Sequence, residues 1–406
     1  MVAICSYVQA RLPILVSALV LAACYGPNSQ DPGPPGKEED AVGRVAPLED
    51  RDFAAPVTKT LLRETGPALS DAAFELKWSG AHANKLLFFR TWPGGYHKDM
   101  SQVAPSRIPG KEGLCFGDPH PDNFGFLQVG RSAEFLFNDL DDSGYCFVAV
   151  DAARYFSAVR LAFDNDDLTK LVLERYVDTL KDPSRAKALD HDRVPNIERE
   201  REDRLHDDVD NDEIVLDPFV ITPMTAAEIA AIKAVAASDP AFAGYRVLDM
   251  VRYRRDEGGS GGLTRYWVLV AGVNPLVPSK TILELKEATT PAAERGRFTK
   301  TLPINQRLDV LKATLWHTSQ MTDYSYVDLA VGSEPSRRFL VRDRLAKKSL
   351  DLTRLSPTEL RDTLEAQASM LALQHARSLE SVTKDDVRTW IEGTSKTVAR
   401  RWSNAM

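Results

Sequence analysis

Gly117-Asp118-Pro119-His120-Pro121-Asp122-Asn123-Phe124-Gly125 decides how this chain is read, together with Phe137-Asn138-Asp139-Leu140-Asp141-Asp142 about fifteen residues on. Both segments sit at strand ends or in loops, where polar groups from distant positions can converge. Asp118 precedes Asn123 by five residues. That spacing suits a carboxylate that takes or orients a hydroxyl proton beside an amide oxygen that binds a magnesium ion. Asp139 ends the next β-hairpin and offers the metal a second hard oxygen, so Asn123 and Asp139 are the expected metal ligands. His120 is a candidate metal ligand, or else a side chain that holds the loop by hydrogen bonds. Asp141 and Asp142 either support the site or are solvated. A turn rich in Asp and Gly with side-chain caps would account for the first segment if it stood alone.

Further along, Gly258-Gly259-Ser260-Gly261-Gly262 separates two alternating strands, Tyr245–Arg254 and Thr264–Ala271. A glycine-rich turn lets backbone N–H groups approach phosphate oxygens. Lys286 follows inside the apolar strand Thr281–Lys286. A buried lysine is costly unless paired, and glycine turn, strand, strand lysine is the order of a kinase small lobe. Lys286 with Gly258–Gly262 is therefore the expected phosphate clamp. The catalytic-loop segment precedes the glycine turn, the reverse of the kinase order. A circularly permuted kinase-like fold reconciles the two, since spatial roles matter more than chain order.

Around these motifs the patterning predicts helices at Asp71–Trp78, Ala149–Phe163, Leu168–Leu180, Thr225–Ala237 (capped by Thr222 or Thr225), Asn305–Thr318, Pro357–Ser378 and Lys384–Trp402. Short strands are expected at Leu114–Phe116, Phe124–Gln128 and Glu134–Asn138, and a charged surface excursion over Lys181–Asp212. The expected class is α+β with two lobes. Residues 57–240 carry the catalytic-loop segment, 241–300 the β-meander with glycine turn and lysine, and 301–406 the C-terminal helices.

The chain has 406 residues and a net charge of -7, which gives no reason to expect a nucleic-acid partner. The basic runs Arg252–Arg255 and Arg342–Lys348 are expected on solvated faces. Arg11 precedes the apolar run Leu12–Ala23, which has the length of a signal-peptide core. Leu21-Ala22-Ala23-Cys24 resembles a bacterial lipobox, so residues 1–23 are expected to be cleaved and Cys24 lipidated. Residues 24–56 then read as a disordered tether to the membrane, placing the protein in the cell envelope, periplasmic or at the outer membrane. Cys115 and Cys146 remain, as a bridge or as two buried thiols.

The chain resembles the bacterial family called domain of unknown function 2252, grouped with the kinase-like superfamily. The residues that carry the likeness are Phe88-Phe89-Arg90, Cys115–Gly125, Phe137–Asp142, Asp151-Ala152-Ala153-Arg154, Gly258–Gly262, Leu285–Ala288 and His375-Ala376-Arg377. The family pattern commonly has Arg-Gly after the Phe pair, whereas this chain has Arg90-Thr91. Gly117–Asn123 is also similar to the motif of aminoglycoside and choline phosphotransferases. The resemblance implies fold and class of chemistry: a magnesium-dependent phosphotransferase using ATP or another phosphate donor on an unknown acceptor, small molecule or protein. The alternative is a non-catalytic kinase-like lipoprotein that binds a nucleotide, sugar or protein. A metallophosphoesterase would also need a Gly-Asp pair and an Asn-His pair further on, and the sequence offers neither.

Overall fold

Four short helices open the fold: α1 (Lys59–Thr65), α2 (Asp71–Ala81), α3 (Lys85–Thr91) and α4 (Pro93–Met100). Each begins where the sequence supplies a start signal. Thr58, Ser70 and Asn84 accept a first-turn N–H, and Pro93 opens α4, where its missing N–H costs nothing. The computed structural model describes residues 45–129, 132–189, 197–274, 277–296, 301–315 and 324–406. All of these belong to one unit, Arg44–Met406. The signal segment, Cys24 and the tether before residue 45 lie outside the described residues, as do residues 316–318 of the helix expected at Asn305–Thr318.

Residues 45–56, assigned to the tether by composition, are packed rather than free. Leu48 and Phe53 are buried, and Leu48 N donates to Thr394 Oγ1 at 3.0 Å. Among the described residues no helix is long and apolar enough to cross a membrane.

β1 (Glu112–Cys115) leads into the motif turn, and β2 (Phe124–Val129) with β3 (Ser132–Phe137) forms the hairpin after it. β4 (Gly144–Phe147) returns antiparallel to β1, and a Cys115–Cys146 disulfide ties the two strands together. The helices α5 (Val148–Phe163) and α6 (Asp166–Lys181) follow. α5 is apolar nearly all round and buried from Val148 to Arg160, as such a helix must be.

α7 (Ile197–Asp208) lies in the stretch expected as a charged surface excursion and is largely at the surface, with one exception. Its Arg201 is buried and donates to Asp343 Oδ2 at 2.6 Å, Thr281 Oγ1 at 3.1 Å and Gln128 Oε1 at 2.6 Å. The short strands β5 (Val209–Asp210), β6 (Glu213–Ile214) and β7 (Ile221–Thr222) precede α8 (Ala226–Ser238), which Thr225 caps with Glu228 in a reciprocal box.

β8 (Tyr245–Tyr253), β9 (Arg265–Gly272) and β10 (Lys280–Glu287) form the expected meander. After α9 (Ile304–Leu315) come β11 (Tyr324–Leu329), β12 (Arg337–Asp343) and β13 (Lys347–Ser349), then α10 (Pro357–His375) and α11 (Lys384–Ala405). The meander lies within a six-stranded antiparallel sheet ordered β11-β12-β10-β9-β8-β7, and a second sheet is ordered β13-β2-β3. The class is thus mixed α and β with antiparallel sheets.

Strand alternation gives the large sheet two different faces. Tyr266, Val268, Leu283, Leu285, Phe339 and Val341 make an apolar face against Ile232 of α8. On the other face Glu284 lies opposite Arg342, and Lys286 opposite Arg265. These four charged side chains are buried.

Candidate active site

Positioning begins at the turn Phe116-Gly117-Asp118. Asp151, in the first turn of α5, accepts Phe116 N–H at 2.9 Å and Gly117 N–H at 2.8 Å. His375 at the end of α10 holds Asp151 at 3.1 Å through Nε2, and Tyr176 meets its Nδ1 at 2.9 Å. His97 lies 2.6 Å from Gly117 O through Nε2, and burial lowers its pKa to about 4. The imidazole is therefore neutral at pH 7, with Nε2–H donating. Gly117 has φ +81°, and a Cβ there would fall 1.7 Å from Asp142 O, so only glycine fits.

Asp118 is thereby delivered to the wall of a cleft of about 340 Å³. Arg154, three residues after Asp151 on α5, donates Nε and Nη2 to Asp118 Oδ1 at 2.9 and 2.6 Å. Among the described residues Oδ2 accepts no hydrogen bond; His120 Nε2 lies 3.7 Å from it. Burial pushes the His120 imidazole below its usual range, which suits a neutral wall residue. Asn123 Nδ2 donates to the carbonyl of Asp118 at 3.0 Å, which commits the amide nitrogen and leaves Oδ1 as a free oxygen donor. Arg90 pairs with Asp122 at the rim.

The hairpin β2–β3 ends at Phe137, and Asn138 N–H donates to Asn123 O at 2.8 Å, so Asp139 returns beside Asn123. Lys286 Nζ lies 3.2 and 3.5 Å from the two oxygens of Asp139 and also contacts Asp141. Burial works to raise the Asp139 pKa, but Lys286 and Arg342 outweigh it and hold the carboxyl well below the usual range. Beneath them Glu284 accepts from Arg265 at 2.8 Å and Arg342 at 2.6 Å. These guanidinium groups overcome burial and keep Glu284 ionised far below its usual pKa. Asp142 turns its Oδ1 to Ala292 N–H at 2.9 Å; burial, then Asp118 and Asp141, raise it to about 6.

The glycine turn closes the other side. Gly258, Gly259 and Ser260 line the cleft. Gly261 and Gly262 do not: their N–H groups bond back to Gly258 O at 2.9 Å and Arg255 O at 2.8 Å. The amides of Gly259 and Ser260 take no hydrogen bond among the described residues. Lys77 of α2, buried against Trp92, donates to Gly259 O at 2.6 Å and Gly261 O at 3.3 Å. Burial lowers its pKa to about 7. Those carbonyls are thus turned toward Lys77.

Asp118, His120, Asn123, Asp139, Asp141, Asp142, Lys286, Arg90 and Gly258–Ser260 therefore meet in one cleft. Lys286 finds its carboxylates, Asp139 and Asp141, on the motif loop. The sequence reading missed the roles of Asp151, Arg154, His97 and Lys77. A charged pair inside the apolar run of α5 was the available signal for the first two. The solvated placement expected for Arg342–Lys348 fails at Arg342, which is buried at 4% exposure, and at Lys347, which lines the cleft together with Arg255.

No curated protein and no solved structure matches the chain. Residues 221–402 match the family described as "Uncharacterized protein conserved in bacteria (DUF2252)". That span holds the glycine turn, Lys286 and His375, while Asp118, Asn123 and Asp139 precede it. The match over residues 221–402 supports the assignment of the chain to that family.

Proposed function

We propose that this chain is a magnesium-dependent phosphotransferase with a kinase-like division of labour in permuted order. The observation that carries the reading is the meeting of Asp118, Asn123 and Asp139 with Lys286 and the glycine turn in one cleft. Asp118 is held through Oδ1 by Arg154, so Oδ2 is the atom that accepts the proton of an acceptor hydroxyl. The hydroxyl oxygen bonds to phosphorus as the bond to the donor's leaving oxygen breaks. Lys286 and the amides of Gly259 and Ser260 hold the phosphoryl oxygens.

The donor set fits a hard cation: Asn123 Oδ1 is left free and Asp139 stays ionised. Bound magnesium would supply charge neutralisation on the phosphates. Cys115–Cys146 supports an oxidising compartment such as the cell envelope, in keeping with lipidation at Cys24. The donor is then ATP or another phosphate carrier.

One contact favours the second reading, a non-catalytic binding module: Lys286 is already engaged by both Asp139 and Asp141. Phosphoryl release separates the two. The full-length chain is incubated with γ-labelled ATP and magnesium, beside Lys286→Met. Label passing to water or a hydroxyl acceptor, and lost in Lys286→Met, is expected. Saturable binding without release in the presence of acceptor alcohols would assign the cleft to binding alone.

A further inference from the structure

Both basic runs of the sequence send cations into the cleft. Arg255 follows β8, Arg342 lies on the charged face of β12, and Lys347 opens β13. β13 pairs with β2, and Lys347 sits opposite Leu127 on the hairpin that delivers Asp139. The two sheets thus bring Arg342 beside Asp139 and Lys347 to the wall of the same cleft. Lys286 Nζ is 3.2 Å from Asp139 Oδ1, and Arg342 Nη1 is 4.0 Å from the same oxygen.

Arg342 is paired through Nε with Glu284 at 2.6 Å, but its outer nitrogen and the other two cations are left over. Arg342 Nη1 is buried without a hydrogen-bond partner. The side chains of Arg255 and Lys347 take no hydrogen bond or ion pair among the described residues. Burial, and then Arg342, push the Lys347 ammonium well below its usual range. Cations gathered on one wall of a cleft repel one another, and an anion that joins them relieves that repulsion. Guanidinium forks with a lysine match phosphate oxygens in geometry and charge.

We propose that Arg255, Arg342 and Lys347 form an anion subsite for a phosphoryl group, separate in its residues from Lys286 and the glycine turn. Because Arg342 and Lys286 adjoin at Asp139, the ligand class is a chain of linked phosphates. One group lies at Lys286 with Gly259 and Ser260, and its neighbour at Arg342 and Lys347. The place of this chain in a reaction rests on the phosphotransferase reading; the binding does not.

The test is calorimetric titration of the full-length chain, without metal, with inorganic tripolyphosphate and with orthophosphate. Tripolyphosphate is expected to bind at least about tenfold more tightly than orthophosphate. Lys347→Met should weaken tripolyphosphate about tenfold, and Lys347→Arg should recover most of the loss. Without ligand, Lys347→Met should melt no lower than the parent, because the Lys347 amine has no hydrogen-bond or ion-pair partner to lose. Arg255→Gln, at an exposed side chain, gives the same readout should Lys347→Met fail to fold. Equal affinity in parent and variants, or equal affinity for the two anions, overturns the subsite even if phosphoryl transfer is observed. Lys347-dependent binding with no phosphoryl transfer leaves the subsite standing and sinks the phosphotransferase reading.

Discussion

Asp118 and Asp139 share a cleft but are held in opposite ways. Asp118 is fastened by a buried arginine that leaves one oxygen free; Asp139 is ionised by Lys286 and Arg342. A group held for proton acceptance should affect turnover and leave donor affinity alone. Asp118→Asn keeps the oxygen that meets Arg154 and is expected to lower kcat by about 100- to 10,000-fold. Its donor affinity, measured by titration, should stay within about twofold of the parent. At this scale the sequence was legible where chemistry restricts residue choice: Asp118, Asn123, Asp139 and Lys286 all reach the cleft. Arg342 and Lys347 were not legible, because a basic run carries no sign of which face it occupies. Gly261 and Gly262 could not be told from Gly259, since composition does not show which amides of a turn bond back on it.

At the scale of elements, the apolar helix α5 and the alternating strands β8, β9 and β10 could be read from pattern alone. β12 could not, because Arg337, Arg338, Arg342 and Asp343 mask its alternation. α7 was hidden by its charge; Arg201 is buried only because Asp343 and Gln128 await it on two other strands. Cys115 and Cys146 were left open by their spacing, and only the antiparallel pairing of β1 with β4 brings them together.

The contact of α4 with α11 makes a prediction at this scale. Asp99 of α4 is buried and accepts from Arg401 of α11 at 3.0 Å. Burial raises its pKa to about 6, with Arg401 pulling the other way. The folded state therefore holds this proton more tightly than the unfolded chain, and stability falls as pH rises through the window from about 4 to about 6. Asp99→Asn removes that slope. By chemical denaturation it should exceed the parent by roughly 2–3 kcal/mol at pH 8, with the gap closing toward pH 4. A gap that stays constant with pH would mean that Asp99 is ionised at no cost.

The molecule as a whole sets a charged face of a six-stranded sheet against a hairpin and its helical support. The cleft draws on residues from Thr65 to Leu350. The mixed α and β class and the meander were legible, since they follow from local pattern. The joining of the two sheets through Asp343 and Lys347 was not, because it depends on pairing between strands far apart in sequence. The central claim concerns this whole assembly: the cleft binds a phosphate donor with magnesium through Asn123 and Asp139. The most direct measurement is the thermal shift of the full-length chain with ATP, with and without magnesium, beside Asp139→Ala. The account predicts saturable stabilisation that needs magnesium, about 2.7 kcal/mol at a hundredfold excess over Kd, and that disappears in Asp139→Ala. Stabilisation of equal size without magnesium, or kept in Asp139→Ala, would contradict it.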